Sequence, residues 1–159
     1  MTARKHQTHI ACPFQIVNAP ARVVWSLLDH PADWGNFYKV RITEVNPKGL
    51  LHKGQLIKAS TGFGPFQLVA SFEITGVDRA KDGTLDMMVK LPFGITNNET
   101  MQIQARGDKC MVKYNCRFDF GEGWVARAIY SIFRNGFDTG PADSLSRLKR
   151  AAEEINKLQ

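Results

Sequence analysis

The sequence has few of the residues that build disulfide frameworks or metal centres. It contains three cysteines, Cys12, Cys110 and Cys116, and none belongs to a C-x-x-C pair. An odd number without that spacing argues against a set of disulfides and favours a reducing, cytoplasmic compartment. The four histidines are scattered over the first third of the chain without H-x-x-x-H spacing, so no metal site is expected.

Long apolar runs are missing as well. No stretch approaches the roughly 18 apolar residues that a membrane-spanning helix needs, and no apolar segment follows the basic N-terminus as a signal peptide requires. The net charge is +6, but the basic residues are dispersed. The densest group, Arg147, Lys149 and Arg150, lies near a predicted helix C-terminus, where cations complement the helix dipole. We therefore expect neither a membrane span nor a nucleic-acid interface.

The residues that are present fit an ordinary globular domain. The chain has 159 residues, of which 43% are hydrophobic and 23% charged. A chain of this length buries roughly two-thirds of the surface that its unfolded form exposes, so it needs no covalent or metal staples. There is no internal repeat, low-complexity tract or linker. We expect a single domain over residues 1–159.

Period-two patterns predict strands in most of the chain. The first covers residues 8–17, where apolar residues recur at every second position and Pro13 predicts an edge strand or a bulge. Two short helices follow, one after Asn18-Ala19-Pro20 and one over residues 32–37. Six further strands, each bounded by a turn that contains Gly, are expected at 39–46, 54–61, 66–77, 84–92, 97–106 and 109–120. Short links between consecutive strands predict an antiparallel meander.

The period changes to that of a helix from Gly123 onward. Gly136 and Gly140-Pro141 interrupt this segment and should kink it or divide it into two helices. A sheet with one apolar face must bury that face, and this helical segment is the only large partner available. The fold class expected is therefore α+β, with a seven-stranded curved antiparallel sheet wrapped around a long C-terminal helix.

Three stretches resemble the START/SRPBCC superfamily, whose helix-grip fold is shared by the birch-pollen allergen and polyketide cyclases. Residues 14–25 resemble its strand-Ala-Pro-x-x-Val-Trp entry into the first helix, residues 28–34 its Asp-x-x-x-x-Trp, and residues 145–149 the Leu-x-x-Leu-Lys of its long helix. These are mainly core and capping positions, so they point to a fold. No catalytic signature of any subfamily matches residue by residue, and a fold alone does not determine function.

The resemblance implies a cavity between the sheet and the long helix, suited to a lipid, sterol, quinone or aromatic polyketide. Its walls are expected from the inward faces of the strands, from the helix and from an aromatic loop at the mouth. The expected lining residues are Trp34, Phe63, Phe66, Met87, Val89, Phe93, Asn97, Glu99, Met101, Tyr114, Cys116, Phe118, Ile129, Phe133 and Phe137. The alternative for each of them is that it fills an ordinary core.

The loop at residues 61–66, Thr-Gly-Phe-Gly-Pro-Phe, has two glycines and two aromatics where loops are usually polar. One interpretation is a flexible lip in which Phe63 and Phe66, helped by Phe93 and Trp34, cover the cavity mouth. The alternative is a plain hairpin turn with its aromatic side chains in the core.

Among the polar candidates, Glu99 and Asn97 share a strand face with Met101 and so point inward. A carboxylate in an apolar cavity has a raised pKa, which suits general acid or base chemistry. The alternative is that the strand begins after Glu99 or that this end of the cavity is wet. Tyr114, on the inward face of the last strand, either offers its hydroxyl to a ligand or is a core residue with its hydroxyl satisfied.

Three functions remain open. The first is a carrier, sequestering protein or sensor for a small hydrophobic molecule, without a cofactor. The second is a cyclase or dehydratase in which Glu99 or Tyr114 moves a proton on the ligand. The third is a protein-interaction module that uses the basic exterior. A buried Glu in a deep pocket favours the enzyme, a carbon-lined pocket the carrier, and a collapsed pocket with an exposed apolar patch the interaction module.

Overall fold

The computed structural model describes residues 6–159 except Gly64, and for Phe63 it describes the backbone alone. In these residues eight strands and three α-helices form. The strands are β1 (Thr8–Ala11), β2 (Phe14–Val17), β3 (Arg41–Asn46), β4 (Leu56–Phe63), β5 (Phe66–Asp78), β6 (Asp82–Lys90), β7 (Thr96–Arg106) and β8 (Lys109–Asp119). The helices are α1 (Ala21–Leu28), α2 (Gly35–Tyr38) and α3 (Gly123–Lys157), with short 3-10 turns at Pro31–Asp33 and Pro92–Gly94.

The strands form one antiparallel sheet in the order β1-β8-β7-β6-β5-β4-β3, and β2 also pairs with β8. The predicted first strand is thus two strands, since Cys12 and Pro13 separate β1 from β2. Proline has no N–H to donate to a ladder, so the pairing breaks at this point. The Pro13 carbonyl still accepts from the Tyr114 N–H at 2.9 Å, which keeps both pieces against β8. The meander and the curved sheet are as predicted, with eight strands rather than seven.

The inner face of the sheet carries the core. The alternating apolar residues of β6, β7 and β8, among them Leu85, Ile103 and Val112, are buried as their pattern predicts. Strands β1 and β2 differ, because the large apolar residues whose alternation predicted them lie on the outer face of the sheet. Ile10 is 64% and Phe14 63% exposed, whereas Ala11 and Val17 are buried where β1 and β2 meet α3.

The C-terminal helix α3 is one continuous helix from Gly123 to Lys157, so the predicted division into two helices is wrong. A proline inside a helix removes one hydrogen bond and costs about 3 kcal/mol. Pro141 is itself buried, and Leu145, Leu148 and Ala152 follow it into the core. Their burial, at about 1.5–3 kcal/mol for each leucine, offsets that cost and holds the helix together.

The described helices include none that is both long enough and apolar enough to cross a bilayer.

Candidate functional site

A cavity of about 250 Å³ lies between α3 and the inner face of the sheet. Side chains from β4 to β8 form most of its wall, and α2 contributes Tyr38. The exposed residues of its wall are Leu68 and Val69 of β5, Thr61 of β4, and Gly136 and Gly140 of α3. Its lining residues are Tyr38, Val40, Thr61, Leu68, Val69, Ala70, Phe72, Val89, Leu91, Pro92, Asn97, Glu99, Tyr114, Phe118, Gly136, Phe137, Gly140, Pro141 and Ser144.

Two exposed glycines of α3 form part of the cavity wall. Gly136 and Gly140 are one helical turn apart, so they lie on the same face of α3, and both line the cavity. A Cβ atom added to either glycine would meet no atom within 4 Å. The sequence interpretation treated these glycines only as helix breakers. Their spacing of four residues, on a helix that must face the sheet, was the available signal that they leave a hollow.

An adjoining pocket of about 200 Å³ shares Leu68, Leu91, Pro92 and Phe137 with the main cavity. Its remaining lining residues are Phe93, Ile95 and Phe133, so only apolar residue types surround it. Phe93 and Phe133 are at least half exposed. The two spaces together form an apolar path from the surface to the interior.

Four polar side chains meet at the buried end of the main cavity. Glu99 of β7 is 6% exposed and Asn97, two residues earlier on the same face, is 2% exposed. The Tyr114 hydroxyl of β8 donates to Glu99 Oε2 at 2.5 Å, and Asn97 Nδ2 donates to Glu99 Oε1 at 2.6 Å. The Tyr38 and Tyr114 hydroxyl oxygens are 3.2 Å apart, within hydrogen-bond distance. We call Glu99, Asn97, Tyr114 and Tyr38 the polar cluster.

Burial sets the protonation properties of the polar cluster. It raises the pKa of Glu99 from 4.5 to about 7, although the hydrogen bond from Tyr114 opposes this rise. Burial, together with the nearby Glu99 charge, raises the pKa of both Tyr38 and Tyr114 well above the usual value. Both tyrosines therefore keep their protons and act as donors, while Glu99 changes its charge near neutral pH.

Eight of the residues predicted from the sequence surround these two spaces. Val89, Asn97, Glu99, Tyr114, Phe118 and Phe137 line the main cavity, and Phe93 and Phe133 line the adjoining pocket. Glu99 and Asn97 lie within β7 and are buried, so the strand does not begin after Glu99.

Other predicted residues lie elsewhere. Trp34 is fully buried in the core, where its indole N–H donates to the Leu28 carbonyl at 3.0 Å, so it is not part of a lip. Phe66 is 82% exposed at the β4–β5 turn and lines neither space. The Phe63 side chain lies outside the described residues.

The remaining predicted positions fill the core rather than the cavity wall. Met87, Met101 and Cys116 point inward and are buried, as alternation requires, but they line neither space. Ile129 is partly buried against the core. Strand periodicity predicts that a side chain points inward, but it does not predict whether that side chain lines the cavity or packs in the core next to it.

Sequence reasoning missed several wall residues. Tyr38 was overlooked because the second helix was expected to end at Phe37, whereas α2 continues to Tyr38. Leu68, Ala70 and Phe72 alternate along β5, and this pattern was the available signal for that wall. Among residues 6–159 without Gly64, no group of three or more His, Cys, Asp or Glu side chains is arranged to hold a metal ion.

Comparison with solved structures identifies the same architecture in other proteins. Truncated norcoclaurine synthase from Thalictrum flavum superposes with a TM-score of 0.67 at 14% identity, covering 98% of this chain and 97% of that one. The same enzyme in complex with dopamine and hydroxybenzaldehyde superposes with a TM-score of 0.62 at 18% identity, and the match covers 98% of this chain and 93% of that one. Ara h 8.0201 gives 0.65 at 11% identity, covering 96% and 100%.

No protein-family model matches the chain, and no curated protein matches it in sequence. At identities this low the structural similarity concerns the fold. The resemblance to the START/SRPBCC superfamily is thereby confirmed at the level of its helix-grip fold.

Proposed function

We propose that this protein binds a small, mainly apolar aromatic molecule in the main cavity and acts as its carrier or sequestering protein. The observation that carries the proposal is the apolar hollow of about 250 Å³ beneath Gly136 and Gly140, with a polar cluster at its buried end. Such a site takes affinity from apolar burial and orientation from a few polar groups. That norcoclaurine synthase, a protein of the same fold, holds dopamine and hydroxybenzaldehyde is compatible with this size class.

The volume limits the ligand. An apolar cavity of about 150 Å³ is enough for benzene, so 250 Å³ suits a bicyclic aromatic molecule. A molecule that buries about 250 Å² of apolar surface gains about 6 kcal/mol, from which the cost of its lost translational and rotational freedom is subtracted, so binding is expected to be weak. Substituents that extend into the adjoining pocket would add affinity.

The test is a fluorescence or calorimetric titration with 2-naphthol. Saturable one-to-one binding is expected for the wild type. Gly136→Leu places a side chain in the cavity and should weaken binding at least tenfold. Ser131→Leu introduces the same side chain at a position of the same helix that lines neither space, and it should leave binding unchanged. Absence of saturable binding, or equal effects of both variants, would refute the proposal.

A second candidate is an enzyme that moves a proton on the bound ligand. The pKa of Glu99 near 7 favours it, because general acid–base catalysis is most efficient when that pKa lies near the working pH. Glu99 would remove a proton from carbon next to a carbonyl, and a tyrosine hydroxyl would donate to the enolate oxygen that forms.

This second candidate is tested by hydrogen–deuterium exchange of 2-tetralone in D₂O, followed by mass spectrometry. Protein-catalysed exchange that is lost in Glu99→Gln and retained in Glu73→Gln, a matched change at an exposed position of β5, supports an enzyme. If the wild type exchanges hydrogen only at the uncatalysed rate, the enzyme candidate is rejected and the carrier function is the one that remains.

A further inference from the structure

The orientation of the Asn97 side chain follows from its partner. An ionised carboxylate only accepts hydrogen bonds, so the Asn97 amide must turn its Nδ2 toward Glu99. It does so, with Nδ2 2.6 Å from Glu99 Oε1. The amide oxygen, Oδ1, therefore faces away from Glu99 and is free to accept from another group.

Within the described part of the chain, Asn97 Oδ1 is buried and has no hydrogen-bond partner. The cross-strand neighbours of Asn97 are Val89 on β6 and Phe118 on β8, whose side chains offer no donor. The thiol of Cys116, which also lies close to the Asn97 side chain, is only a weak donor. The nearby Tyr114 hydroxyl has a single proton, which it gives to Glu99 Oε2. Buried amide oxygens are rarely left unpaired, because the loss of hydration is then not compensated.

The chemistry around Asn97 also limits which partner suits it. Asn97, Glu99 and Tyr114 all line the main cavity, and the free lone pairs of Glu99 and of Asn97 Oδ1 are acceptors. An anionic ligand would meet the Glu99 charge at this end of the cavity and be repelled. A ligand with a neutral O–H or N–H group would supply the missing donor while its apolar body fills the remaining space.

Building on the proposed function, we infer that the natural ligand carries a neutral hydroxyl or N–H group that donates to Asn97 Oδ1, and that Asn97 selects such ligands over donor-free molecules of the same shape. A site that hydrogen-bonds its ligand discriminates strongly against analogues that leave the buried polar group unpaired.

Three probes with the same bicyclic body test the inference by titration at about pH 8, where Glu99 is ionised. 2-Naphthol has a donor, whereas the smaller naphthalene and the larger 2-methoxynaphthalene have none, so their sizes bracket that of 2-naphthol. The wild type should bind 2-naphthol about tenfold or more tightly than either donor-free probe.

Two variants test whether the preference for 2-naphthol depends on Asn97 itself. In Asn97→Leu the preference for 2-naphthol should fall several-fold, because the Asn97 acceptor is gone while the volume is kept and only the Glu99 carboxylate is left to accept. Asn98→Leu changes the same residue type on the exposed face of β7 and should retain the preference. Circular dichroism checks that both variants fold. The comparison of the three probes on the wild type remains a valid test even if Asn97→Leu fails to fold.

The outcomes are distinct. Equal wild-type affinity for 2-naphthol and naphthalene, or a preference that is as large in Asn97→Leu as in the wild type, overturns the inference and leaves the carrier function intact. Failure of all three probes to bind overturns both.

Discussion

Replacing Glu99 with glutamine should change how the stability of the protein depends on pH. The side chain is buried, and its surroundings favour the neutral acid over the carboxylate. In the unfolded chain the same group is exposed to water and ionises at its ordinary pKa. The native state therefore retains a proton that the unfolded state releases, and raising the pH favours unfolding.

The size of the effect follows from the shift of the Glu99 pKa from 4.5 to about 7. At about 1.4 kcal/mol per pKa unit, the free energy of unfolding should fall by about 3 kcal/mol as the pH rises through this interval. Below it Glu99 is protonated in both states, and above it ionised in both, so the contribution is constant on either side. Glutamine resembles the neutral acid in shape and has no charge to bury. Glu99→Gln should therefore match the wild type at low pH and exceed its stability above neutral pH.

Urea unfolding at several values between about pH 4.5 and about pH 8, for wild type and Glu99→Gln, measures this difference directly. Subtracting the two curves removes the contributions of other titrating groups, such as His6, whose pKa is raised by its hydrogen bond with Asp119. Glu73→Gln serves as the exposed carboxylate control and should show no such trend. A difference between wild type and Glu99→Gln that is the same at about pH 5 and about pH 8 would refute the reasoning.

Two further predictions concern the cavity wall. Gly136→Ala adds a methyl group to open space in a helix interior, so it should stabilise the protein by about 1 kcal/mol and raise its Tm by about 2–4 °C in a thermal melt, and a lower Tm would contradict this. Tyr114→Phe removes the hydrogen bond that lowers the pKa of Glu99, so a ¹³C NMR titration of that carboxyl should give a pKa above about 7, and an unchanged or lower value would show that the hydroxyl has no such effect.

The strand pattern of the second half of the chain was predictable from sequence because each strand there has one apolar face. Met87, Glu99 and Tyr114 all point inward, as alternation requires, and even a charged residue such as Glu99 could be assigned by counting along β7. In β1 and β2 the same pattern misleads, since Ile10 and Phe14 are exposed. Periodicity identifies a strand but does not say which of its faces meets the core.

The cavity itself was harder to predict than the elements that surround it. Met101 and Val89 occupy equivalent inward positions, yet only Val89 lines the hollow. The difference depends on the course of α3 over the sheet, which no local pattern contains. Trp34 is fully buried, so this residue supports the core rather than the mouth of the cavity.

The glycines that shape the hollow and the amide that we infer reads the ligand belong to different parts of the protein. Gly136 and Gly140 are on α3, whereas Asn97 is on β7. Both sites nevertheless line the same cavity, so changes at them are coupled through the guest that fills it. A methyl group on α3 would restrict how bulky a guest is admitted and would also change where that guest lies relative to Asn97. Size selection and chemical selection would therefore have to be adjusted together, in engineering or among descendants of this chain.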